Sequence, residues 1–205
     1  NNPMEAIKNA IYLLKTRLDP ESQPIYEALR SETERVTRIV RQMLGLYRNA
    51  GHLGSFDLNN IIEDTLALFS RPLAKSGVTV DKRMGHLPPV KGSADQFRQL
   101  LSNLVVNAQD SMADGGNLIL KTRYAKSRGA YGHISIVVAD TGMGIPPEIR
   151  NTMFDPFIST KGEKGTGLGL WIVKGIVEGH SGRIQVRSSV GKGTIFKLIF
   201  PHSQS

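Results

Sequence analysis

Apolar residues recur every three or four positions through the first quarter of the chain. One stripe runs through residues 3–18 and consists of Ile7, Ile11, Leu14 and Leu18. A second stripe runs through residues 24–48 and consists of Leu29, Val36, Val40, Met43 and Tyr47. Because this spacing matches the turn of an α-helix, each stretch is predicted to be an amphipathic helix with one apolar face.

The two predicted helices are separated by Asp19, Pro20 and Glu21, which interrupt the pattern. So short a loop predicts an antiparallel helical hairpin. A hairpin alone covers little of either stripe, whereas a second copy of the chain would cover both in a dimeric four-helix bundle. We therefore expect a homodimer through residues 3–48. The alternative is that these helices pack on the rest of the same chain.

Residues 49–55 (NAGHLGS) have the composition of a turn and predict a linker. Beyond them the pattern predicts helices over 58–70, 93–112 and 168–179, and strands over 77–83, 117–124, 132–139, 183–188 and 193–200. This mixture predicts the α+β class, with a two-layer α/β sandwich preceded by the hairpin. We accordingly predict two domains, a helical hairpin over 1–50 and the sandwich over 55–205.

The composition narrows the classes of function. Hydrophobic residues make up 40% and charged residues 21% of the chain, as in globular proteins. No apolar run approaches the roughly 20 residues of a membrane helix, and there is no signal peptide. We therefore expect a cytoplasmic protein and no membrane contact by these residues. The absence of Cys excludes disulfides and thiolate metal sites.

The net charge of +8 raises the question of a polyanionic partner. The 26 Lys and Arg are spread over the whole length and are mixed with 18 Asp and Glu. A nucleic-acid-binding surface would instead cluster its basic residues, with aromatic residues between them. We therefore expect a solvated basic surface and no nucleic-acid partner.

Three polar residues share one face of the helix predicted over 93–112. They are Asn103, Asn107 and Asp110, separated by four and three positions in NLVVNAQD. Asn is a poor helix former, so two of them on one face suggest oxygen ligands. The alternative is a pair of solvent-facing amides.

A second candidate lies where a predicted strand ends, in VVADTGMGIP (137–146). Asp140 is followed by Gly142 and Gly144, which allow a sharp turn and a close approach of the backbone to a ligand. A carboxylate at this point can hold a base through its exocyclic amine. A plain turn is the alternative, because turns also favour Asp and Gly.

A third candidate is FDPFISTKGEKGTGLGL, in which Gly165, Gly167 and Gly169 lead directly into a predicted helix. The free N–H groups and the dipole at a helix start favour a phosphate. Lys161 and Lys164 would add charge to the same site. The stretch is neither a Walker A loop nor a GxGxxG motif, so a flexible glycine loop is the alternative.

The fourth motif, GKGTIFKLIFP (191–201), combines a turn with a closing strand and offers the hydroxyl of Thr194. In this order the four motifs resemble the N, G1, F/G2 and terminal Thr-containing boxes of the histidine-kinase catalytic domain. That domain has the Bergerat-type ATP fold shared with gyrase, the MutL mismatch-repair ATPases and the heat-shock chaperone ATPases. The hairpin at 3–48 likewise resembles the family's dimerisation and histidine-phosphotransfer domain.

The resemblance implies an ATP-dependent histidine kinase of a two-component system, with ATP and Mg²⁺ as cofactors and a response-regulator receiver domain as partner. It implies that Asn107 ligates Mg²⁺ and that Asp140 accepts a hydrogen bond from the adenine amino group. It places the ATP site at Asn103, Asn107, Asp110, Asp140, Gly142, Gly144, Ile145, Phe157, Lys161, Lys164, Gly165, Thr166, Gly167, Leu168, Gly169, Leu170 and Thr194.

Two positions within the first motif bear on the reaction. Asn103 stands where the ATP-hydrolysing relatives carry a Glu that activates water. An amide cannot serve as that base, so the resemblance implies phosphoryl transfer to a protein acceptor. Asp110 stands where many family members carry Lys or Arg, which leaves Lys161 or Lys164 to supply charge to the phosphates.

The opening residues NNP have two interpretations. Asn2 and Pro3 can begin a helix as its N-cap and first residue. They also match the end of the family's phosphoacceptor box, His-Glu/Asp-x-x-Asn/Thr-Pro, which would place the acceptor His four positions before Asn2. The resemblance then makes Asn2 the catalytic residue that orients water when the partner regulator is dephosphorylated.

Two rival functions remain for the chain. The first is an ATPase of the same fold that drives conformational change, as gyrase does, and Asn103 and the hairpin argue against it. The second is a basic dimeric module that binds nucleic acid through residues 3–48. That segment contains 8 Lys/Arg and 6 Asp/Glu, a balance too near neutral for a surface that follows phosphates.

Overall fold

A computed structural model describes residues 3–15, 18–19, 21–48, 54–126, 131–159 and 165–203. The helices are α1 (Pro3–Leu14), α2 (Gln23–Arg48), α3 (Leu58–Lys75), α4 (Ala94–Ser111) and α5 (Gly169–Gly179). The strands are β1 (Gly54–Phe56), β2 (Val78–Arg83), β3 (Val90–Gly92), β4 (Gly116–Lys126), β5 (Tyr131–Asp140), β6 (Arg183–Ser189) and β7 (Gly193–Ser203). None of the described helices has the length and apolar composition that spanning a bilayer requires.

Five strands form one mixed sheet in the order β2-β4-β5-β7-β6. β2 and β4 are parallel, and the other neighbouring strands are antiparallel. Alternate residues of β4, β5 and β7 are buried in one cluster with residues of α3, α4 and α5, so the three helices form a layer on one face of the sheet. The predicted α+β class and two-layer sandwich are confirmed.

The register of the central strands brings two candidate site residues together. β5 and β7 pair along their whole length, and Asp140, the last residue of β5, lies opposite Thr194 near the start of β7. α4 crosses above them and is anchored by Phe97, Leu101 and Leu104, which are at most 1% exposed. The polar side of α4 is therefore held at the carboxyl end of β5.

A local signal begins α3, although the sequence pattern does not fix where that helix ends. The side chain of Asp57 caps α3 by accepting hydrogen bonds from the backbone N–H groups of Asn59 and Asn60, at 2.8 and 3.2 Å. α3 continues to Lys75 and does not stop at residue 70 as predicted. The extension includes Pro72, a residue that more often ends or kinks a helix.

The prediction that the linker extends to residue 55 is wrong. Gly54 and Ser55 belong to β1, which pairs antiparallel with β3, Gly54 lying opposite Gly92. Residues 49–53 lie outside the described part of the chain. Strands of three residues are too short to display a period, which is why the pattern predicts neither β1 nor β3.

The hairpin forms as predicted, but α1 ends at Leu14, so Leu18 lies beyond the helix. Apolar spacing continued past the true end because no Gly or Pro marks it. Most of the two stripes is exposed within one chain: Ile7, Leu14, Leu29, Val36 and Val40 are 37–48% exposed. The side chains of Met43 and Tyr47 lie outside the described residues.

The buried positions of the hairpin differ from the predicted stripes. Among the side chains that the structure describes, they are Ile11 of α1, which does belong to its stripe, and Tyr26, Thr33 and Thr37 of α2, which do not. α2 also contacts α4 and α5, and Ile39 packs against the core of the sandwich. The helices therefore pack partly on the rest of the chain, and their apolar stripes are left largely uncovered.

Candidate functional site

A cavity of about 430 Å³ opens between α4, the segment that follows β5 and the start of α5. Residues of all four sequence motifs contribute to its walls. The predicted site residues that line it are Asn103, Asn107, Asp110, Asp140, Gly144, Ile145, Gly165, Thr166, Gly167, Gly169, Leu170 and Thr194. Motifs far apart in the sequence therefore meet at one place.

Asp140 supplies a carboxylate to this cavity while only 9% of the residue is exposed. Its Oδ1 accepts hydrogen bonds from the N–H of Gly142 at 2.9 Å and from the O–H of Ser111 at 3.0 Å. Burial raises the pKa of Asp140, and hydrogen bonds from Gly142, Ser111 and the backbone of Thr194 oppose that effect. The arrangement suits a carboxylate that accepts a hydrogen bond from a ligand.

The turn after β5 depends on the two glycines that the sequence singled out. Gly142 does not line the cavity; its backbone N–H instead holds the carboxylate of Asp140. Gly144 has a φ of +75°, and a Cβ at this position would lie 2.2 Å from the carbonyl oxygen of Ser189. No other residue fits there, so the backbone can follow the wall of the cavity closely.

Ser188 ties this turn to the closing strand. Its Oγ accepts a hydrogen bond from the N–H of Ile145 at 2.7 Å and lies 3.0 Å from Oγ1 of Thr194. Two predicted site residues are thereby fixed through one hydroxyl. Sequence reasoning missed Ser188, because a Ser near the end of a strand carries no pattern of its own.

The opposite end of the cavity combines helix α4 with the start of α5. A Cβ built on Gly169 would lie 3.8 Å from Nδ2 of Asn107 and 4.0 Å from Cγ of Asn103, so the two amides face the first residue of α5. No side chain caps α5, whose N-cap is Leu168. Nδ2 of Asn103 is buried without a hydrogen-bond partner among the described residues. A polar, anionic ligand group would satisfy these donors.

Some predicted site residues lie elsewhere. Leu168 is wholly buried in the hydrophobic core and does not line the cavity, since an aliphatic side chain before a helix packs inward. Phe157 is 61% exposed, with a φ of +67°, and also lies off the cavity wall. Lys161, Lys164 and Asn2 lie outside the described residues.

The remaining lining residues were not predicted from the sequence, and most are apolar. They are Val106, Ser111, Met143, Pro146, Ile149, Met153, Ile158, Ser159 and Phe196. For Ser111 a signal existed, because it follows Asn107 by four positions and so continues the same helix face. Val106 lies in α4 and Phe196 in β7, whereas the other apolar lining residues lie between β5 and α5, outside the long helices and strands, where no period marks them.

Comparison with known proteins agrees with this arrangement. Residues 92–204 match the family described as histidine kinase-, DNA gyrase B- and HSP90-like ATPase. The chain is 35% identical to the sensor kinase CckA of Brucella abortus over 98% of the chain, and 31% identical to sporulation kinase E of Bacillus subtilis over 100% of it. It spans only 23% and 27% of the lengths of those two proteins.

The crystal structure of full-length ShkA in complex with AMPPNP shares the fold. It matches 99% of this chain with a TM-score of 0.73 and 24% sequence identity, and the matched region is 44% of the ShkA chain. The match includes the hairpin as well as the sandwich, since nearly the whole chain is covered.

Proposed function

Because this chain belongs to the family of histidine kinase-, DNA gyrase B- and HSP90-like ATPases, we propose that it is the transmitter part of a sensor histidine kinase. It binds ATP and passes the γ-phosphoryl group to a His, and from there to an Asp of a response-regulator receiver domain. One observation carries the proposal: the Asp140 carboxylate and the amides of Asn103 and Asn107 lie in one cavity, beside the start of α5.

At the Asp140 end the cavity suits adenine. The carboxylate accepts a hydrogen bond from the exocyclic amino group, and the fixed turn at Ile145 and the strand at Thr194 hold the position of the ring. Apolar side chains such as Met143 and Met153 offer a surface for the flat ring. Guanine carries a carbonyl oxygen where adenine carries the amine, and an ionised carboxylate repels it.

At the other end the cavity suits the phosphates. The backbone N–H groups at the start of α5 and the buried amide of Asn103 donate to phosphate oxygens. No group of three or more His, Asp and Glu that could hold a metal occurs among the described residues. The amide oxygen of Asn107 together with ligand phosphates fits Mg²⁺, which prefers oxygen ligands and would neutralise phosphate charge. Lys161 or Lys164 adds further positive charge.

The transfer step breaks the bond between the γ-phosphorus and the bridging oxygen of ATP, and ADP leaves. The imidazole nitrogen of the acceptor His forms the new bond to phosphorus. Asn103 holds the phosphates but has no basic group with which to deprotonate a water molecule. This favours transfer over hydrolysis and distinguishes the chain from ATPases of the same fold. The relatives named sensor kinase and sporulation kinase support the same reaction.

The hairpin supplies the dimer and the acceptor region in this proposal. The exposed apolar stripes containing Leu29 and Val36 pack against a second copy of the chain. The acceptor His lies four positions before Asn2, and Asn2 assists dephosphorylation of the regulator. Residues 1–50 and 55–205 act as the two domains.

Calorimetric titration with nucleotides in the presence of Mg²⁺ tests the proposed site. We expect ATP and ADP to bind and GTP to bind at least about tenfold more weakly, because the ionised Asp140 discriminates against the guanine carbonyl. Asp140→Ala should remove most of the ATP binding without unfolding the chain. Equal affinities for ATP and GTP would contradict the assignment of Asp140.

A further inference from the structure

Ser111 is the last residue of α4, and its hydroxyl lies between two acceptors. Oγ is 3.0 Å from Oδ1 of Asp140 and 2.7 Å from the carbonyl oxygen of Ala108. A hydroxyl has one proton, so it donates to one of these acceptors at a time. Donation to Ala108 is an ordinary helix-end contact. Donation to Asp140 instead reaches into the proposed nucleotide cavity, which Ser111 also lines.

Ser111 contacts the turn after β5 through both its backbone carbonyl and its hydroxyl. The N–H of Met143 donates to the carbonyl oxygen of Ser111 at 2.9 Å, which ties the end of α4 to the turn after β5. A Cβ on Gly142 would lie 2.3 Å from Oγ of Ser111, so the turn and the hydroxyl are in close contact. The backbone of Ser111 is therefore tied to the turn, and its Oγ lies within hydrogen-bond distance of Asp140.

The backbone of Gly142 and the hydroxyl of Ser111 hydrogen-bond to the same carboxylate oxygen of Asp140. Gly142 N–H and Ser111 O–H donate to Oδ1, and neither donates to Oδ2. Resting on the proposed function, we infer that Ser111 is a specificity-determining residue for the purine, whose hydroxyl holds Oδ1 so that an ionised Oδ2 is presented to the adenine amino group. Among the described residues, Asp110 is the other Asp, Glu, His, Lys, Arg or Tyr that lines the cavity.

Removal of the hydroxyl has two consequences for recognition. The carboxylate loses one of the donors that fix its rotation, and it loses one of the hydrogen bonds that oppose the burial-induced rise in the pKa of Asp140. A protonated carboxyl can donate to the carbonyl oxygen of guanine. Ser111→Ala should therefore weaken ATP binding while weakening GTP binding less, or strengthening it.

The experiment compares ATP and GTP affinities of the unmodified chain, Ser111→Ala and Ser111→Thr by calorimetry. We expect Ser111→Ala to lower the ratio of ATP to GTP affinity by about tenfold, or about 1.4 kcal/mol, as removal of a hydrogen bond to a charged group predicts. Ser111→Thr keeps the hydroxyl and should retain the ratio of ATP to GTP affinity found for the unmodified chain. Repeating the ATP titration over a range of pH should show that loss of affinity on acidification begins at a higher pH in Ser111→Ala.

Ser70→Ala is the matched control. Oγ of Ser70 donates to the carbonyl oxygen of Ala67 at 2.8 Å, the same helix contact that Ser111 makes with Ala108, but in α3 and away from the cavity. It should leave both affinities unchanged. An unchanged ratio in Ser111→Ala, or equal weakening of ATP and GTP, would overturn the inference, because the hydroxyl would then serve only the helix end. Absence of ATP binding by the unmodified chain would overturn the proposed function itself.

Discussion

At the scale of single residues, Asp140 links the proposed nucleotide binding to folding stability. Its pKa is raised in the folded chain, chiefly by burial. For such a group the contribution to stability is fully present below the unfolded pKa and is lost as the pH rises through the folded pKa. The ionised carboxylate, which we propose as the acceptor for adenine, therefore lowers the stability of the unliganded chain at neutral pH.

We predict that Asp140→Asn stabilises the unliganded chain against urea at neutral pH, because the amide removes the buried charge. The same change should weaken ATP binding by at least about tenfold, since the carboxylate acceptor is lost. The gain in unfolding free energy should shrink as the pH falls toward the ordinary range of an Asp carboxyl. Asp114→Asn, at an exposed Asp in the turn after α4, is the control and should change neither quantity. A loss of stability at neutral pH in Asp140→Asn would contradict the argument.

The residues that sequence alone could identify are those whose chemistry is local. Asp140 stands beside the glycines that shape its turn, and Asn103 and Asn107 are one helical turn apart. Ser188 acts through a contact with Ile145, 43 positions away, and no single-sequence pattern records such a contact. Phe157 and Leu168 stand in the motifs but do not line the cavity, because a position inside a motif does not settle which way a side chain points.

At the scale of elements, the length of a helix or strand decides whether its repeat of apolar residues can predict it. α2 and α4 were predicted to within a residue or two, since many turns repeat the same pattern. β1 and β3 have three residues each and were missed. The hairpin was predicted, but which of its apolar residues face its own chain depends on the packing of α2 against α4 and α5, which no local pattern contains.

The uncovered stripe of the hairpin leads to a prediction about assembly. Leu29 is 47% exposed on α2, so Leu29→Glu would bury a charge in the proposed four-helix bundle. We expect it to weaken dimerisation at least about tenfold in sedimentation experiments, with ATP binding retained. Leu68→Glu, at a 76% exposed Leu of α3, is the matched control and should remain dimeric. A monomeric unmodified chain at micromolar concentration would contradict the proposed dimer.

At the scale of the whole molecule, the proposed nucleotide cavity and the proposed dimerisation hairpin lie in different parts of the chain. The cavity lies in the sandwich, between α4 and α5, and the hairpin lies before it in the chain. α2 nevertheless contacts both of these helices. The proposed phosphotransfer therefore requires the hairpin and the cavity to approach each other, within one chain or between two copies.

The most direct test of kinase function is transfer of label from ATP radiolabelled on its γ-phosphate. The chain is extended by its native upstream residues, and the unextended chain and the extended Asn107→Ala variant are the controls. We predict an acid-labile, base-stable label on a His four positions before Asn2 in the extended chain, and none in either control. Steady release of inorganic phosphate without a labelled protein, or labelling of the unextended chain, would contradict the proposed phosphotransfer.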